Sequence, residues 1–311
     1  MISNNSLKKI IQYTSADVDS ITTPTTSSVV FVSDKVAVVV YTDMATAIYA
    51  KVVTIGSDGT CTLGPRLTVY SGASSIAPSV CYSPTEGKVS VVYTKVNSFY
   101  TGLFSVALTV SGTSVTASAE NTLQSLATQT ITKLSSCYDP VAGKTHIAYT
   151  RYNAGYKTYI RTISGSTFST QSTETRLGTG AQYTVNMCYD TNSSKLIISY
   201  TDSTPNFYVV SASYSAGTYS FGTTNQGFGT VGVINGLVFN SKRNIAVQSF
   251  YDDKTGYGSV IPISISGTSM VLGTKLNINS AHVYSSITYN PMSSRVLLYQ
   301  SKTSAPASKV S

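Results

Sequence analysis

The chain has 311 residues, of which 41% are hydrophobic and only 11% are charged, and its formal net charge is +8. This balance excludes a disordered chain, because disordered segments combine few apolar residues with many charges. The basic residues are spread along the sequence without a run of five or more, which argues against the clustered basic face of a nucleic-acid-binding protein.

The opening stretch, MISNNSLKKIIQYTS, is polar and lacks the apolar core of a cleaved signal peptide. The longest apolar run extends from Val36 to Tyr41, which is far too short to span a bilayer. We therefore predict neither export by a cleaved signal nor insertion into a membrane.

A repeated unit dominates the sequence: a strand ending in Tyr, a turn, a basic residue and an apolar strand ending in an aromatic residue. The clearest copies read SVCYSPTEGKVSVVYTK (79–95), SSCYDPVAGKTHIAYTR (135–151) and NMCYDTNSSKLIISYTD (186–202). The aromatic residues that end the second strands are Tyr41, Tyr93, Tyr149, Tyr200, Phe250 and Tyr299. Their spacing of 49 to 56 residues is typical of four-stranded propeller blades.

The predicted fold is therefore all-β, a single six-bladed β-propeller domain over residues 1–311. The predicted blade cores lie near 29–66, 79–117, 135–170, 186–222, 237–274 and 286–311. The last copy lacks a fourth strand, and residues 7–13 are predicted to supply it, so that both termini close the ring and remove exposed sheet edges. An open solenoid is the alternative architecture.

The second strands are apolar on both faces, as in Val89, Val91 and Val92. One-sided burial would give clean alternation, so these strands are predicted to pack against a neighbouring sheet on each side. Asp139, Asp190 and Asn290 begin the turns between first and second strands and are interpreted as turn-building residues rather than catalytic ones.

Three of the four cysteines, Cys81, Cys137 and Cys188, precede the same Tyr in successive repeats. Equivalent positions in separate blades are expected to be too far apart for a disulfide, which requires Cα atoms within about 7 Å. They are interpreted as small buried apolar residues, and assembly in a reducing compartment is expected.

Signals for catalysis are sparse. The two histidines, His146 and His282, have no partner at metal-ligand spacing, and no G-x-S-x-G or Walker motif occurs. A propeller glycosidase would need two carboxylates flanking the bond, but adjacent Asp252 and Asp253 would point to opposite faces of a strand. The sequence thus predicts no enzyme, no catalytic residue, no metal and no cofactor.

Binding residues are predicted where the repeats differ. One set lies two residues after each second-strand aromatic residue or its neighbour: Asp43, Lys95, Arg151, Asp202 and Asp253. A second set precedes the third strands: Tyr49, Tyr100, Tyr156, Phe207 and Tyr257. Aromatic rings with polar neighbours can stack on sugars or anchor an interface, while the alternative is that they pack between blades or are solvated.

The unit Y-D-P-x-x-G-K-x-x-x-A-Y-T, followed by a third strand and an S-G-T-S turn, resembles propeller repeats of tailed-phage virion proteins. The resemblance covers roughly residues 29–301 and is strongest at Tyr82–Thr94 and Tyr138–Thr150. Because the matching positions are scaffold, the resemblance assigns no binding residue.

The resemblance implies a non-enzymatic structural protein of a tail fibre or appendage, assembled in the host cytoplasm and located in the virion. Its implied partners are other virion proteins, with host-surface polysaccharide as a further ligand, and oligomerisation would occur through the virion. The alternatives are a capsid decoration or tail connector protein without a receptor role and, less favoured, a propeller glycosidase.

Overall fold

A computed structural model describes residues 24–310, except for 44–46, 58–59, 73–74, 97–100, 127–128, 153–154, 171, 205, 228, 230, 281, 291–294 and 303–308. The described residues form strands and turns, with no helix long and apolar enough to cross a membrane. Residues 7–13, the predicted closing strand, lie outside the described residues.

Within the described residues, the strands follow the repeats in five groups of five and a last group of three. The first group is β1 (Pro24–Ser33), β2 (Val36–Asp43), β3 (Ala47–Ile55), β4 (Cys61–Leu63) and β5 (Leu67–Ser71). The second is β6 (Ser75–Ser83), β7 (Lys88–Val96), β8 (Thr101–Ser111), β9 (Ser114–Ala117) and β10 (Asn121–Leu126). The third is β11 (Thr130–Asp139), β12 (Lys144–Tyr152), β13 (Tyr156–Ser164), β14 (Ser169–Thr170) and β15 (Thr175–Arg176).

The remaining strands continue this order. The fourth group is β16 (Thr184–Asp190), β17 (Lys195–Thr201), β18 (Phe207–Ser215), β19 (Thr218–Phe221) and β20 (Asn225–Gln226). The fifth is β21 (Val231–Asn240), β22 (Ile245–Asp252), β23 (Tyr257–Ser266), β24 (Ser269–Leu272) and β25 (Leu276–Ser280). The last group is β26 (His282–Asn290), β27 (Arg295–Lys302) and β28 (Lys309–Val310).

The all-β propeller is confirmed, but the predicted six blades of four strands are corrected. In the described part of the chain, five antiparallel sheets are blades of five strands each, and the sheet of β26, β27 and β28 has three strands. The additional strand arises because each outer strand is split into two short ones, and both pair with the third strand of the blade.

Contact with the neighbouring blade explains where the outer strand breaks. Gly64 directly follows β4 and Gly222 directly follows β19, each the first of the two short outer strands of its blade. Their backbone N–H groups donate to the carbonyls of Val52 and Ser211 at 2.8 Å each. A Cβ on Gly64 would lie 1.8 Å from the Thr113 carbonyl oxygen, and one on Gly222 would lie 2.6 Å from that of Thr268. The outer turn of the next blade therefore occupies the space that a continuous strand with side chains would need.

Second strands are buried on both faces, as predicted. Val89, Val91 and Val92 have no exposed surface, and Leu196, Ile197 and Ile198 have at most 1%.

The turn role of Asp139 is also confirmed: its Oδ1 accepts hydrogen bonds from the backbone N–H groups of Val141 at 2.8 Å and Ala142 at 3.0 Å.

Asp190 makes the same turn in the fourth blade. Its Oδ1 accepts hydrogen bonds from the backbone N–H groups of Asn192 at 2.8 Å and Ser193 at 3.1 Å, which confirms the prediction from its place before the turn. The side chain of Asn290 lies outside the described residues.

First strands of all six sheets surround one central cavity of about 710 Å³. Neighbouring first strands pack against each other, and β26 contacts both β21 and β1. On the side of the turns between first and second strands, Lys88 and Lys195 each donate a hydrogen bond to an outer turn of the following blade, at Ser166 and Gly267. These contacts fasten the second blade to the third and the fourth blade to the fifth.

Candidate functional site

The loops that join second to third strands, and the links between blades, lie on one side of the propeller, which we call the loop face. Four of the predicted binding positions, Lys95, Arg151, Asp202 and Asp253, lie at these loops or at the strand ends beside them. Asp43 ends β2 there too, but its side chain lies outside the described residues, as does the whole of Tyr100.

Lys95 and Arg151 are held in ion pairs within their own blades. Lys95 Nζ lies 2.6 Å from Glu120 Oε1, and Arg151 Nη2 lies 2.5 Å from Glu174 Oε2. The Arg151 guanidinium also stacks 3.7 Å above the centroid of the Tyr159 ring. Glu120 directly precedes β10 and Glu174 directly precedes β15, each the second short outer strand of its blade. Each ion pair therefore links the outer edge of the blade to its second strand.

The fifth blade has the same ion pair with the charges exchanged. Asp252 pairs with Lys275, which precedes β25 as Glu174 precedes β15. Asp252, and not the predicted Asp253, therefore occupies the position equivalent to Arg151, because Phe250 rather than Tyr251 matches Tyr149. Asp253 is exposed beyond the end of β22.

Breaking the pair of the third blade should cost more stability than breaking that of the second. Glu174→Gln removes the charge that pairs with buried Arg151 and accepts from Tyr149, so we expect a loss of about 2 kcal/mol in the free energy of unfolding. Glu120→Gln, in the more exposed pair with Lys95, should cost about 1 kcal/mol. Urea denaturation measures both, and equal losses would contradict the dependence on burial.

The carboxylate of Asp202 accepts hydrogen bonds from residues of its own loop and of β18. Its Oδ1 accepts from the backbone N–H groups of Thr204 at 2.9 Å and Asn206 at 3.1 Å, and its Oδ2 accepts from the Tyr208 hydroxyl at 2.8 Å. Burial alone would raise the pKa of Asp202, but the hydrogen bonds from Tyr208 and Thr204 outweigh it and hold the pKa below its ordinary value. Asp202 therefore stays ionised and shapes the loop.

The predicted aromatic residues divide between core and surface. Phe207 is fully buried and stacks on Phe250 with ring centroids 6.4 Å apart. Tyr49 is half-buried beneath Arg66, whose guanidinium lies 4.7 Å from its ring centroid. Tyr257 is 38% exposed, and Tyr156 is half-buried in a cluster of three tyrosines.

That cluster borders a cleft of about 380 Å³ on the loop face between the third, fourth and fifth blades, which we call the loop-face cleft. The Tyr156 ring centroid lies 4.0 Å from that of Tyr183 and 4.9 Å from that of Tyr152. The cleft is lined by Thr132, Lys133, Tyr156, Tyr183, Thr184, Thr201, Asp202, Ser203 and Gly232. It brings together two of the predicted residues, Tyr156 and Asp202.

Buried Gln182 positions Tyr183. Its Oε1 accepts the backbone N–H of Thr158 at 3.0 Å, and its own backbone N–H donates to the Tyr156 carbonyl at 3.1 Å. The next N–H, of Tyr183, donates to the Thr201 carbonyl at 2.8 Å. These bonds fix the link between the third and fourth blades on β13 and β17, so the Tyr183 ring is held against Tyr156.

Lys133 is the cleft residue that sequence reasoning missed. Its side chain is exposed to the cleft, yet desolvation by the surrounding walls lowers the pKa of its amine below the ordinary value. It is the one Lys or Arg within the described first strands β1, β6, β11, β16, β21 and β26. The sequence signal that could have identified Lys133 is that it stands alone as a basic residue among first strands that are otherwise neutral or acidic.

His146 takes part in a second polar network, which is closed to ligands. Its ring nitrogens lie 2.8 Å from the Tyr219 hydroxyl and 3.3 Å from Asp139 Oδ2, and its side chain is completely buried. Burial lowers the pKa of His146, against the opposing effect of Asp139. The network therefore joins the third and fourth blades. The side chain of the other histidine, His282, lies outside the described residues.

The three cysteines of the first strands contribute packing rather than reactivity. All four are free, and Cys81, Cys137 and Cys188 are buried against the central cavity. Burial raises the pKa of the Cys81 thiol to about 12, so little reactive thiolate forms near neutral pH. Among the described residues, no group of three or more His, Cys, Asp or Glu is suited to holding a metal ion.

No family model matches the chain, and no curated protein does. Solved structures with the same fold include a putative 6-phosphogluconolactonase from Bacteroides uniformis, 11% identical over 89% of this chain and 81% of that one, with a TM-score of 0.53. Another is a putative 6-phosphogluconolactonase from Bacteroides fragilis, 8% identical over 91% and 82%, with a TM-score of 0.55. A protein from Lactobacillus plantarum is 10% identical over 86% and 78%, with a TM-score of 0.53.

These comparisons correct the prediction of a non-enzymatic phage structural protein, which was wrong: two of the similar propellers are named for an enzyme, and nothing in the comparisons indicates a phage protein. At such low identity the likeness establishes the propeller fold and no substrate. The resemblance to phage propeller repeats, the virion location and the proposed partners are untested and stay predictions.

Proposed function

We propose that the protein is a propeller hydrolase that binds a small sugar-derived ring in the loop-face cleft and opens it with water. The observation that carries the proposal is the presence of Lys133, with its lowered pKa, in the same cleft as the paired rings of Tyr156 and Tyr183. Pockets with a few convergent polar groups and a perturbed titratable residue are favoured sites of ligand binding and catalysis.

The dimensions and chemistry of the cleft favour a small polyhydroxylated ring. Its volume of about 380 Å³ lies at the lower end of the range for small-molecule sites. Tyr156 and Tyr183 offer apolar ring surface with hydroxyl groups attached, a combination that accepts ligands with one apolar and one wet side. Thr132, Ser203 and Asp202 add hydrogen-bonding groups around them.

A sugar lactone is the proposed substrate class, and the names of two similar propellers support this choice. The neutral amine of Lys133 would take a proton from water while the water oxygen bonds to the lactone carbonyl carbon. The ring C–O bond then breaks, and the departing alkoxide takes the proton from the Lys133 ammonium group. This second transfer regenerates the neutral amine. The product is the open hydroxy acid, which then loses its carboxylic proton to solvent.

Tyr183→Ala is expected to weaken binding of an aldonolactone about fivefold, because it removes one ring of the stacking pair. Tyr257→Ala is the matched control, since Tyr257 is 38% exposed and Tyr183 is 37% exposed, but Tyr257 does not line the cleft. The chain contains no Trp, so quenching of tyrosine fluorescence reports binding directly. Equal affinity of the two variants for the aldonolactone would contradict binding in the loop-face cleft.

We also infer that the three-stranded sheet fills a sixth place in a closed ring. Two observations support this inference: β26 packs against both β21 and β1, and it lines the same cavity as the other five first strands. A ring closed in this way holds the third, fourth and fifth blades at fixed angles, which the cleft between them requires.

A further inference from the structure

A second, smaller cavity opens on the other side of the third blade, and it is lined by Gln129, Arg151, Gly155, Lys157 and Tyr159. Its volume is about 40 Å³, a little more than the share of one water molecule in the liquid. Arg151 and Lys157 are directly paired across β12 and β13, so two cations lie side by side at this rim.

The cations are incompletely neutralised. Arg151 is 8% exposed, and its Nη2 pairs with Glu174, but its buried Nε has no hydrogen-bond partner. Glu174 is shared, because it also accepts the Tyr149 hydroxyl. Among the described residues no carboxylate lies within ion-pair distance of Lys157. A buried charged group with an unused donor needs a ligand, an ion or water.

We propose that this cavity binds the carboxylate end of an acidic ligand, with one oxygen on the Arg151 guanidinium and the other on Lys157. Guanidinium donors favour planar, two-oxygen acceptors, and the amide of Gln129 adds a further donor at the wall. The small volume admits the carboxylate group alone, so the rest of the ligand extends into solvent on the loop face. This site is separate from the loop-face cleft and does not depend on lactone hydrolysis.

The second blade shows why the third is distinctive. Lys95, the counterpart of Arg151, is paired across the sheet with Gly102 instead of a second cation. Its amine is already held by Glu120 and by the rings of Tyr70 and Phe104, each 4.4 Å away. The positively charged cavity is therefore a property of the third blade.

Formate is the simplest probe, with chloride at equal ionic strength as the comparison. Formate should raise the unfolding temperature of the wild-type protein saturably, and Lys157→Gln should weaken its apparent affinity about tenfold, as expected for losing one charge-assisted hydrogen bond. Lys157→Arg should retain most of the effect. Lys254→Gln, at an exposed lysine of the fifth blade, removes the same charge elsewhere and should behave as wild type.

Two results would overturn the proposal. One is an equal response of wild type and Lys157→Gln to formate, given equal unfolding temperatures of the two proteins without it. The other is a chloride effect as large as the formate effect, which would indicate general charge screening with no carboxylate site.

Discussion

Lys133→Met is expected to slow lactone hydrolysis by about a hundredfold, because it removes the proposed general base while keeping a side chain of similar length. In the wild type the amine acts in its neutral form. The rate should therefore rise with pH until the pKa of Lys133 is reached, and this pKa lies below the ordinary 10.5 of lysine. Initial rates of acid release from gluconolactone, corrected for the reaction without protein, measure this profile.

Two variants separate the base from its charge. Lys133→Arg keeps a cation that cannot act as a base at these pH values, so its rate should fall as far as that of Lys133→Met. Lys254→Met removes a lysine from the fifth blade and should leave the rate unchanged. If Lys133→Met retained the wild-type rate and pH profile, the assignment of Lys133 would be wrong even if the protein proved to be a lactonase.

His146→Ala is expected to lower the free energy of unfolding by about 3 kcal/mol, since it opens a cavity and removes the buried contact of the ring with Asp139 Oδ2. The ring of His146 packs edge-on against Tyr214 at 5.0 Å and Tyr219 at 5.5 Å, and these contacts bridge the third and fourth blades. Chemical denaturation at pH 7 measures the loss. A loss of unfolding free energy no larger than that of a typical surface substitution would contradict the bridging role.

The same histidine should make stability depend on pH. Its pKa in the folded protein is below the ordinary 6.5, so the unfolded chain binds the proton first as the pH falls. Stability from the neutral ring is thus complete above pH 6.5 and declines toward the lowered pKa, by at most about 1.4 kcal/mol per pH unit. His146→Ala should abolish this decline between pH 6.5 and 5, whereas His282→Ala, which leaves the buried ring in place, should retain it.

The blades were predictable because their first two strands carry strong and repeated signals. Second strands such as β7 and β17 are apolar on both faces, and Asp139 and Asp190 mark the turns before them. Outer strands were not predictable in detail. β14, β15 and β20 have two residues each, and their breaks depend on the turn of the next blade, as at Gly64 and Gly222.

The candidate site was predictable only in part, for a related reason. Counting from the second-strand aromatic residues located Asp202, which lines the loop-face cleft. Lys95 and Arg151, found by the same counting, are instead used by partners within their blades. The loop-face cleft is formed by residues that sequence separation does not connect, such as Lys133 of β11 and Gly232 of β21. Tyr183 reaches it through the bonds of Gln182 to β13, which no repeat pattern reports.

A crystal structure with an aldonolactone or its hydroxy-acid product bound would show whether the loop-face cleft is the catalytic site. We expect one sugar ring against Tyr156 and Tyr183, with its carbonyl or carboxyl carbon facing the Lys133 amine. A ligand bound in the central cavity, with the loop-face cleft left to solvent at saturating concentration, would contradict it.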